Sequence, residues 1–235
     1  GLFVLSLIHL LFKTGKIDFK YLSNYTNASF LINQEKNSVN SGMFLLGKDQ
    51  KPLIIDRKSG EISAFDNPNT EADITGEYER NGIIHKTVFA LMAEKYLNNE
   101  YSPERVENIV GVSASKIRDI ANELAKVAFE QEITIDQEWT DWKGQHHTKM
   151  TGRPVSFHAM RGISAHSNGF QTCRSIHLLQ LLLGSVEVPG GFRFKPPYPK
   201  PVSAHPKPHF NVKPGMPLDG PHLGFVQGPE DLAID

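Results

Sequence analysis

Residues 154–191 hold the side chains of this sequence that could do chemistry on an anion. The run RGISAHSNGF at 161–170 supplies guanidinium, imidazole, hydroxyl and amide groups within a short loop, and Arg174 follows it. A guanidinium offers a planar fork that matches oxyanions, and a histidine exchanges protons near neutral pH. This concentration of donors predicts an anion-binding or cofactor-binding site.

The elements around these donors are predicted from hydrophobic periodicity. Residues 154–160 are mostly apolar and end before Gly162, which predicts a buried strand. Residues 171–183 repeat apolar side chains at helical spacing and stop at Gly184, which predicts a buried helix. A strand, a donor loop and a helix start in this order are typical of a ligand site at the carboxyl end of a parallel sheet.

This stretch resembles the molybdopterin oxidoreductases, which hold a molybdenum bis(molybdopterin guanine dinucleotide) cofactor. The family pattern is a strand, a polar loop with glycine, an arginine at the start of a leucine-rich helix, and a Pro-Gly-Gly. These features correspond to Gly162, His166–Gly169, Arg174, Leu178–Leu183, Gly184 and Pro189–Gly191. TDWKGQHH (140–147), HAMRGISAHSNGF (158–170) and RFKPPYPKP (193–201) are most similar to the sulfite dehydrogenase and polysulfide/thiosulfate reductase branch.

The resemblance implies roles for individual residues. It places Arg174, expected in the first helical turn, beside molybdenum, where its guanidinium orients the substrate anion. We expect His166 to be the second catalytic residue, as a proton donor or acceptor. The residues expected to contact the cofactor are Met160, Arg161, Gly162, Ser164, Ser167, Asn168 and Gly169.

Structural roles would also account for several of these residues. Arg174 and Arg161 could each form an ion pair with a carboxylate, and Ser167 or Asn168 could cap the helix without touching a ligand. His158 is more typical of a core histidine whose hydrogen bonds are satisfied.

The resemblance further implies a reaction and partners. We expect sulfite to be oxidised to sulfate by oxygen-atom transfer at molybdenum, with a thiosulfate or polysulfide reductase, or another substrate of the family, as the alternative. The expected partners are a small sulfur oxyanion, an electron-transfer subunit with iron–sulfur clusters, and a membrane-anchor subunit. The expected location is the cytoplasmic face of the inner membrane, and a periplasmic location is the alternative.

Composition limits what these 235 residues do by themselves. Lys and Arg number 25 and Asp and Glu 26, a net charge of −1 that does not favour nucleic acid as a partner. Cys173 is the single cysteine, so the sequence contains neither an internal disulfide nor the thiolates of an iron–sulfur cluster. We therefore expect a fragment of a longer polypeptide, inactive alone, with its cluster and molybdenum ligand encoded upstream. Neither the residue that ligates the metal nor the choice between molybdenum and tungsten follows from these residues.

The predicted fold class is α/β, part of a parallel-sheet, Rossmann-like domain with an irregular proline-rich C-terminal segment. Four parts are expected: a helical segment at 1–25, an irregular insertion at 26–82, a cofactor-contacting α/β portion at 83–191, and an extended segment at 192–235. Within them we expect a helix at 1–13 closed by Gly15, one at 18–25 with Asp18 as its N-cap, and one at 85–98. A further helix should open at Ser102-Pro103 and end at Gly111, and Ser113 should cap another at 113–129, followed by a strand at 133–136.

Two other kinds of site find less support in the sequence. Residues 102–128 outline two helices joined at Gly111, as in a DNA-binding helix-turn-helix, but the second helix mixes acidic with basic side chains. His146 and His147 point in different directions on a strand and have no third ligand at a suitable spacing, which argues against a metal site.

Overall fold

Helix α1, Leu2–Thr14, lies at the centre of the hydrophobic core. Its Leu7, Ile8 and Leu11 side chains are almost fully buried. The helix packs against two helices from much later in the chain, α5 (Ala114–Glu130) and α7 (Gly169–Leu182). Neighbours on several sides explain why α1 is apolar nearly all round.

The computed structural model describes residues 1–159 and 161–193, and the helices there follow the capping signals of the sequence. Asp18 and Ser113 accept hydrogen bonds from amides in the first turns of the helices they cap, as predicted. Gly15 and Gly111 adopt the left-handed conformation at helix ends, also as predicted. The other helices are α2 (Phe19–Tyr25), α3 (Val88–Tyr96), α4 (Pro103–Val110) and α6 (Arg161–Ser164), with a 3-10 turn at Asn99–Tyr101.

The strands form small antiparallel sheets rather than the predicted parallel one. They are β1 (Leu31–Ile32), β2 (Leu53–Asp56), β3 (Ile62–Ala64), β4 (Ala72–Asp73), β5 (Glu77–Arg80), β6 (Ile83–Thr87), β7 (Ile133–Ile135), β8 (Trp139–Thr140), β9 (His146–His147) and β10 (Met150–Gly152). The strand orders are β1-β6-β5, β3-β2-β4, β10-β7 and β8-β9, and every strand pair of the described residues is antiparallel. The mixed α/β class is confirmed, whereas no Rossmann-like sheet is found within the described residues.

The predicted strand at 154–160 is wrong for the residues that can be checked. Residues 153–159 have no regular secondary structure, and Met160 lies outside the described residues. Val155 is buried and its neighbours alternate in exposure, which is the pattern that suggested a strand. A strand also requires a hydrogen-bonded neighbour, and no strand of the described residues pairs with this segment.

The predicted helix at 85–98 begins later than expected. His85 and Thr87 belong to β6, which pairs with both β1 and β5, so α3 starts at Val88. The Thr87 hydroxyl accepts a hydrogen bond from the Ala90 amide, and this cap marks the true start. Helix periodicity could not reveal that the preceding residues were taken by a sheet.

Residues 26–82 contain more regular structure than an irregular insertion. β2 and β3 form a hairpin with Leu53 opposite Ala64, and a small apolar cluster joins this hairpin to β1. The buried members of that cluster are Leu31, Leu45, Leu53 and Ile55. The division of the chain into four parts stays a prediction.

Two further findings concern the length of the helices and the C-terminal end of the described residues. No helix of the described residues is long and apolar enough to span a bilayer. The predicted extended segment at 192–235 lies outside the described residues beyond Arg193. Up to that point, residues 186–192 form a turn in which Val186 and Phe192 make an isolated parallel bridge.

Candidate cofactor and substrate site

The predicted donor loop is an exposed surface between two helices. Residues 161–168 are all exposed, first as the short helix α6 and then as a turn that leads into α7. Gly162 lies within α6, so it does not end a strand as predicted. Arg161, His166, Ser167 and Asn168 lie along this surface with exposed side chains, whereas the Ser164 hydroxyl donates to the Arg161 carbonyl at 3.2 Å.

Gly169 brings the two helices into close contact. It is buried, and a Cβ atom placed there would lie 1.9 Å from the Ser164 carbonyl oxygen. The Gly169 amide donates to the His166 carbonyl at 2.8 Å, which closes the turn. Glycine is required here because only a residue without a side chain permits this approach.

The capping alternative for Ser167 and Asn168 receives no support from side-chain geometry. Asn168 occupies the N-cap position of α7, but its side chain makes no capping hydrogen bond. Its carbonyl accepts from the Thr172 amide at 3.0 Å, an ordinary backbone bond at a helix start. The amide and hydroxyl side chains of this turn are therefore available to another partner.

Arg174 is less close to the loop than predicted. Because α7 begins at Gly169, two residues before the predicted start, Arg174 falls in the second helical turn rather than the first. It lies about 9 Å along the helix axis from Asn168, at about 1.5 Å per residue. Its side chain is partly exposed, and neither Arg174 nor Arg161 forms an ion pair with any residue that the structure describes. The ion-pair alternative for these two arginines is thus not seen there.

The charge distribution of this region is one-sided. Between Asp141 and Glu187 the sequence contains no aspartate or glutamate, but it contains two lysines, three arginines and five histidines. Carboxylates from elsewhere pair with Arg153 and Lys149, but among the described residues none pairs with Arg161 or Arg174, and these two cations favour a negatively charged ligand. The one-sided charge was a signal present in the sequence, and it was missed.

A buried ion pair fixes the segment that leads into the loop. The Arg153 guanidinium donates to Asp18 Oδ2 at 3.1 and 3.3 Å, to the Ala128 carbonyl at 3.1 Å, and to the Glu132 carboxylate. It also lies over the Phe129 ring, with its central carbon 5.2 Å from the ring centroid. The sequence predicted Asp18 as a helix cap, but its bond to a residue 135 positions later has no sequence signal.

Further contacts tie α2 to the residues around α7. The Gln180 side chain is fully buried, and its amide nitrogen donates to the Phe157 carbonyl at 3.3 Å. The Tyr21 hydroxyl donates to the Val186 carbonyl at 3.1 Å. Burial, with the nearby negative charge of Asp18, raises the pKa of Tyr21 to about 12. These residues are scaffold, and sequence reasoning did not identify them.

The paired histidines belong to a separate hairpin. His147 stacks on Trp139 at 4.4 Å between ring centroids, and its Nε2 lies 3.0 Å from Asp141 Oδ2. The hydrogen bond from His147 lowers the pKa of Asp141. His146 lies on the other side, 4.0 Å from Glu138. Within the described residues no group of three metal-ligating side chains is found.

Two other features of the sequence were Cys173 and the outline of a helix-turn-helix. Cys173 is a free, half-buried cysteine on α7. The helices of the helix-turn-helix alternative exist as α4 and α5, joined at Gly111. Val106 and Ile117 on these helices are fully buried, and α1 packs against both helices.

The surface at 161–174 fits the cofactor that the resemblance implies. A bis-pterin guanine dinucleotide presents fused rings and pyrophosphates, which call for hydrogen-bond donors, cations and apolar contact. The exposed turn supplies the donors, Arg161 and Arg174 supply guanidinium groups without a carboxylate partner among the described residues, and Phe170 is 74% exposed beside them. The Phe170 ring would offer the apolar contact that the fused rings call for.

No protein-family model matches the chain, but curated proteins do. Over its whole length, the chain is 37% identical to a sulfite dehydrogenase subunit of Allochromatium vinosum, covering 25% of that protein. It is 28% identical to the formate dehydrogenase major subunit of Haemophilus influenzae over 80% of the chain, or 15% of that protein. The α subunit of a formate dehydrogenase 2 (cytochrome c-553) of Nitratidesulfovibrio vulgaris is 27% identical over 73% of the chain, or 14% of that protein.

The chain thus spans about a quarter of the sulfite dehydrogenase relative and about a seventh of the formate dehydrogenase relatives. The matches agree with the resemblance carried by the donor loop and the leucine-rich helix. They favour the enzyme over the DNA-binding alternative. Along its whole length the chain is similar to catalytic subunits of the molybdopterin oxidoreductases.

Proposed function

We propose that this chain is part of the catalytic subunit of an enzyme that oxidises sulfite to sulfate. The observation that carries the proposal is the 37% identity, along the entire chain, to a protein named as a sulfite dehydrogenase subunit. The relatives with a formate dehydrogenase name share 25–28% identity over 73–80% of the chain. The higher identity and fuller coverage favour sulfite as the substrate.

The local electrostatics support an oxyanion substrate. Sulfite spreads its negative charge over three oxygens, which a guanidinium contacts in two-pronged fashion. Arg174 has no carboxylate partner among the described residues, so its guanidinium is available for this contact. The stretch around it contains no acidic residue that would repel sulfite.

Oxidation of sulfite consumes water and releases two protons and two electrons as sulfate forms. Bound molybdenum supplies the oxygen-atom transfer and accepts the two electrons. In this proposal Arg174 orients the sulfite oxygens, and His166, exposed on the neighbouring turn, accepts and passes on a proton.

The bis(molybdopterin guanine dinucleotide) form of the cofactor is part of the proposal. The backbone and side-chain donors of Arg161, Ser164, Ser167 and Asn168 would bind its phosphate and pterin groups. The close contact at Gly169 holds those donors in one turn. Cys173 alone cannot hold an iron–sulfur cluster, so the cluster would be bound by cysteines outside these residues.

The electrons require partners that accept them. We propose an electron-transfer subunit with iron–sulfur clusters and a membrane-anchor subunit, with the complex at the cytoplasmic face of the inner membrane; a periplasmic location is the alternative. Nucleic acid is not a proposed partner.

The test is steady-state turnover of the purified full-length enzyme with an artificial electron acceptor, with molybdenum quantified in the same sample. Sulfite should drive acceptor reduction with matching sulfate production, whereas formate should not. Turnover with formate and none with sulfite would replace the proposal by formate oxidation, the function named by the other relatives. Sulfide release from thiosulfate or polysulfide under reducing conditions, without sulfite oxidation, would replace it by the reductase function.

A further inference from the structure

We infer that Arg153 is a positioning residue for the donor loop and that it acts through Asp18. The inference begins with the number of elements that one guanidinium joins. Arg153 bonds the N-cap residue of α2, the carbonyl of Ala128 in the last turns of α5, and Glu132 just beyond α5. The side chains of Arg153 and Asp18 are 14% and 15% exposed, so their bond is largely shielded from water, whereas Glu132 is 45% exposed.

Asp18 divides its carboxylate between two tasks. Oδ1 accepts from the Tyr21 amide at 2.9 Å and caps α2, whereas Oδ2 accepts from Arg153. The Asp18 amide also donates to the Leu182 carbonyl at 2.8 Å, at the end of α7. Gly184 packs so closely that a Cβ there would lie 2.5 Å from Asp18 Oδ2. Asp18 therefore connects the start of the 153–159 segment with the end of the helix that follows the loop.

These contacts anchor the donor loop at both of its ends. On its N-terminal side, Arg153 holds the beginning of the segment, Val155 is buried, and the Phe157 carbonyl is bonded by Gln180. On its C-terminal side, Gly169 is packed against Ser164. The described residues between these points are mostly exposed, so their placement depends on the anchors rather than on burial.

This role differs from general stabilisation in one measurable way. If loss of the Arg153–Asp18 pair lowers the fraction of molecules with the loop correctly placed, substrate binds only that fraction and KM rises. Turnover by the molecules that do bind substrate is retained. This kinetic consequence rests on the proposed function, whereas the effect on the loop itself does not.

The experiment compares Arg153→Lys, Asp18→Asn and the double variant in the full-length enzyme. Asparagine is as good a helix cap as aspartate, so Asp18→Asn keeps the bond to the Tyr21 amide and removes the charge that Arg153 meets. Arg118→Lys is the matched control, because Arg118 also pairs with a carboxylate, that of Glu104, but on the α4–α5 face. Amide hydrogen exchange of residues 153–169 and sulfite kinetics per bound molybdenum are measured for each.

We expect the rate of amide hydrogen exchange across residues 153–169 to rise by roughly tenfold to a hundredfold in either single variant. This range corresponds to the loss of hydrogen bonds to a charged group. The double variant should be little worse than Arg153→Lys alone, because that substitution already disrupts the pair with Asp18 together with the bonds to Ala128 and Glu132. KM for sulfite should rise, while kcat per molybdenum and exchange in α4 stay unchanged; Arg118→Lys should match the wild type.

Additive single effects, or exchange that rises equally in α1 and in the loop, would overturn the inference and leave Arg153 as a stabilising residue only. An unchanged loop would overturn it outright. An enzyme without sulfite activity would refute the proposed function instead, since the exchange result still tests Arg153.

Discussion

Replacing Gly169 by alanine should displace the donor loop, although it adds only one methyl group. The new Cβ would lie 1.9 Å from the Ser164 carbonyl oxygen, whereas ordinary contacts begin near 3.4 Å, so one of the two must move by about 1.5 Å. Overpacking of this kind costs about 1–3 kcal/mol. If the cost falls on the turn, its local opening increases by about 5- to 150-fold.

The assay is amide hydrogen exchange in the full-length enzyme, read at residues 165 and 169, whose amides close α6 and the turn. A shift of about 1 Å in groups that position a substrate can cost about a hundredfold in rate, so turnover per molybdenum should also fall. Gly162→Ala is the control for hydrogen exchange only, because nothing lies within 4 Å of a Cβ at that position. If Gly169→Ala exchanged like Gly162→Ala and turned over like the wild type, packing at Gly169 would not be what shapes the loop.

Three further predictions test the site and its surroundings. Arg174→Lys should keep molybdenum content but lower sulfite turnover by roughly tenfold to a thousandfold, since lysine retains the charge and loses the planar fork; unchanged turnover per molybdenum would remove Arg174 from the site. The hydrogen bond from His147, with those from the Gln145 and Lys143 amides, lowers the pKa of Asp141 below 3.8, so its stabilisation is present above that pH and is lost as the pH falls through the lowered value. Tryptophan fluorescence of the hairpin should report this change, and His147→Phe should weaken it. Because the pKa of Tyr21 is raised from 10.0 to about 12, the stabilisation that neutral Tyr21 contributes is complete below pH 10 and is lost as the pH rises toward 12. In difference absorbance near 295 nm, the tyrosine transition at the highest pH should vanish in Tyr21→Phe. Persistence of that transition would contradict the assignment.

The helices and their ends could be predicted because their signals are local. Asp18, Ser113, Gly15 and Gly111 each act on residues within one turn, and each does in the structure what the sequence suggested. The start of α7 was placed two residues late, since Gly169 is a poor helix former. Its place in the helix depends on the contact with Ser164, which only the fold reveals.

The errors arose where long-range pairing decides the structure. Residues 154–159 alternate in burial like a strand, but pairing is a property of a neighbour and cannot be found in the segment itself. The bond between Arg153 and Asp18 likewise joins residues that no spacing rule connects. For the candidate site, the turn at 165–168 ahead of α7 agrees with the predicted loop, whereas helix α6 and the scaffold that holds this region were not foreseen. The roles of the individual site residues stay predictions.

The packing of α1 against α7 determines when the hydrophobic core can be completed during synthesis. The two helices are separated by about 155 residues, which a ribosome needs on the order of 10–30 s to add. Helices α3, α4 and α5, which also contact α1, are made during that interval, so the face that meets α7 is the last part of α1 to be covered by these helices. Exposed apolar surface favours association, so this face is the part of α1 most open to unwanted contacts until α7 is made.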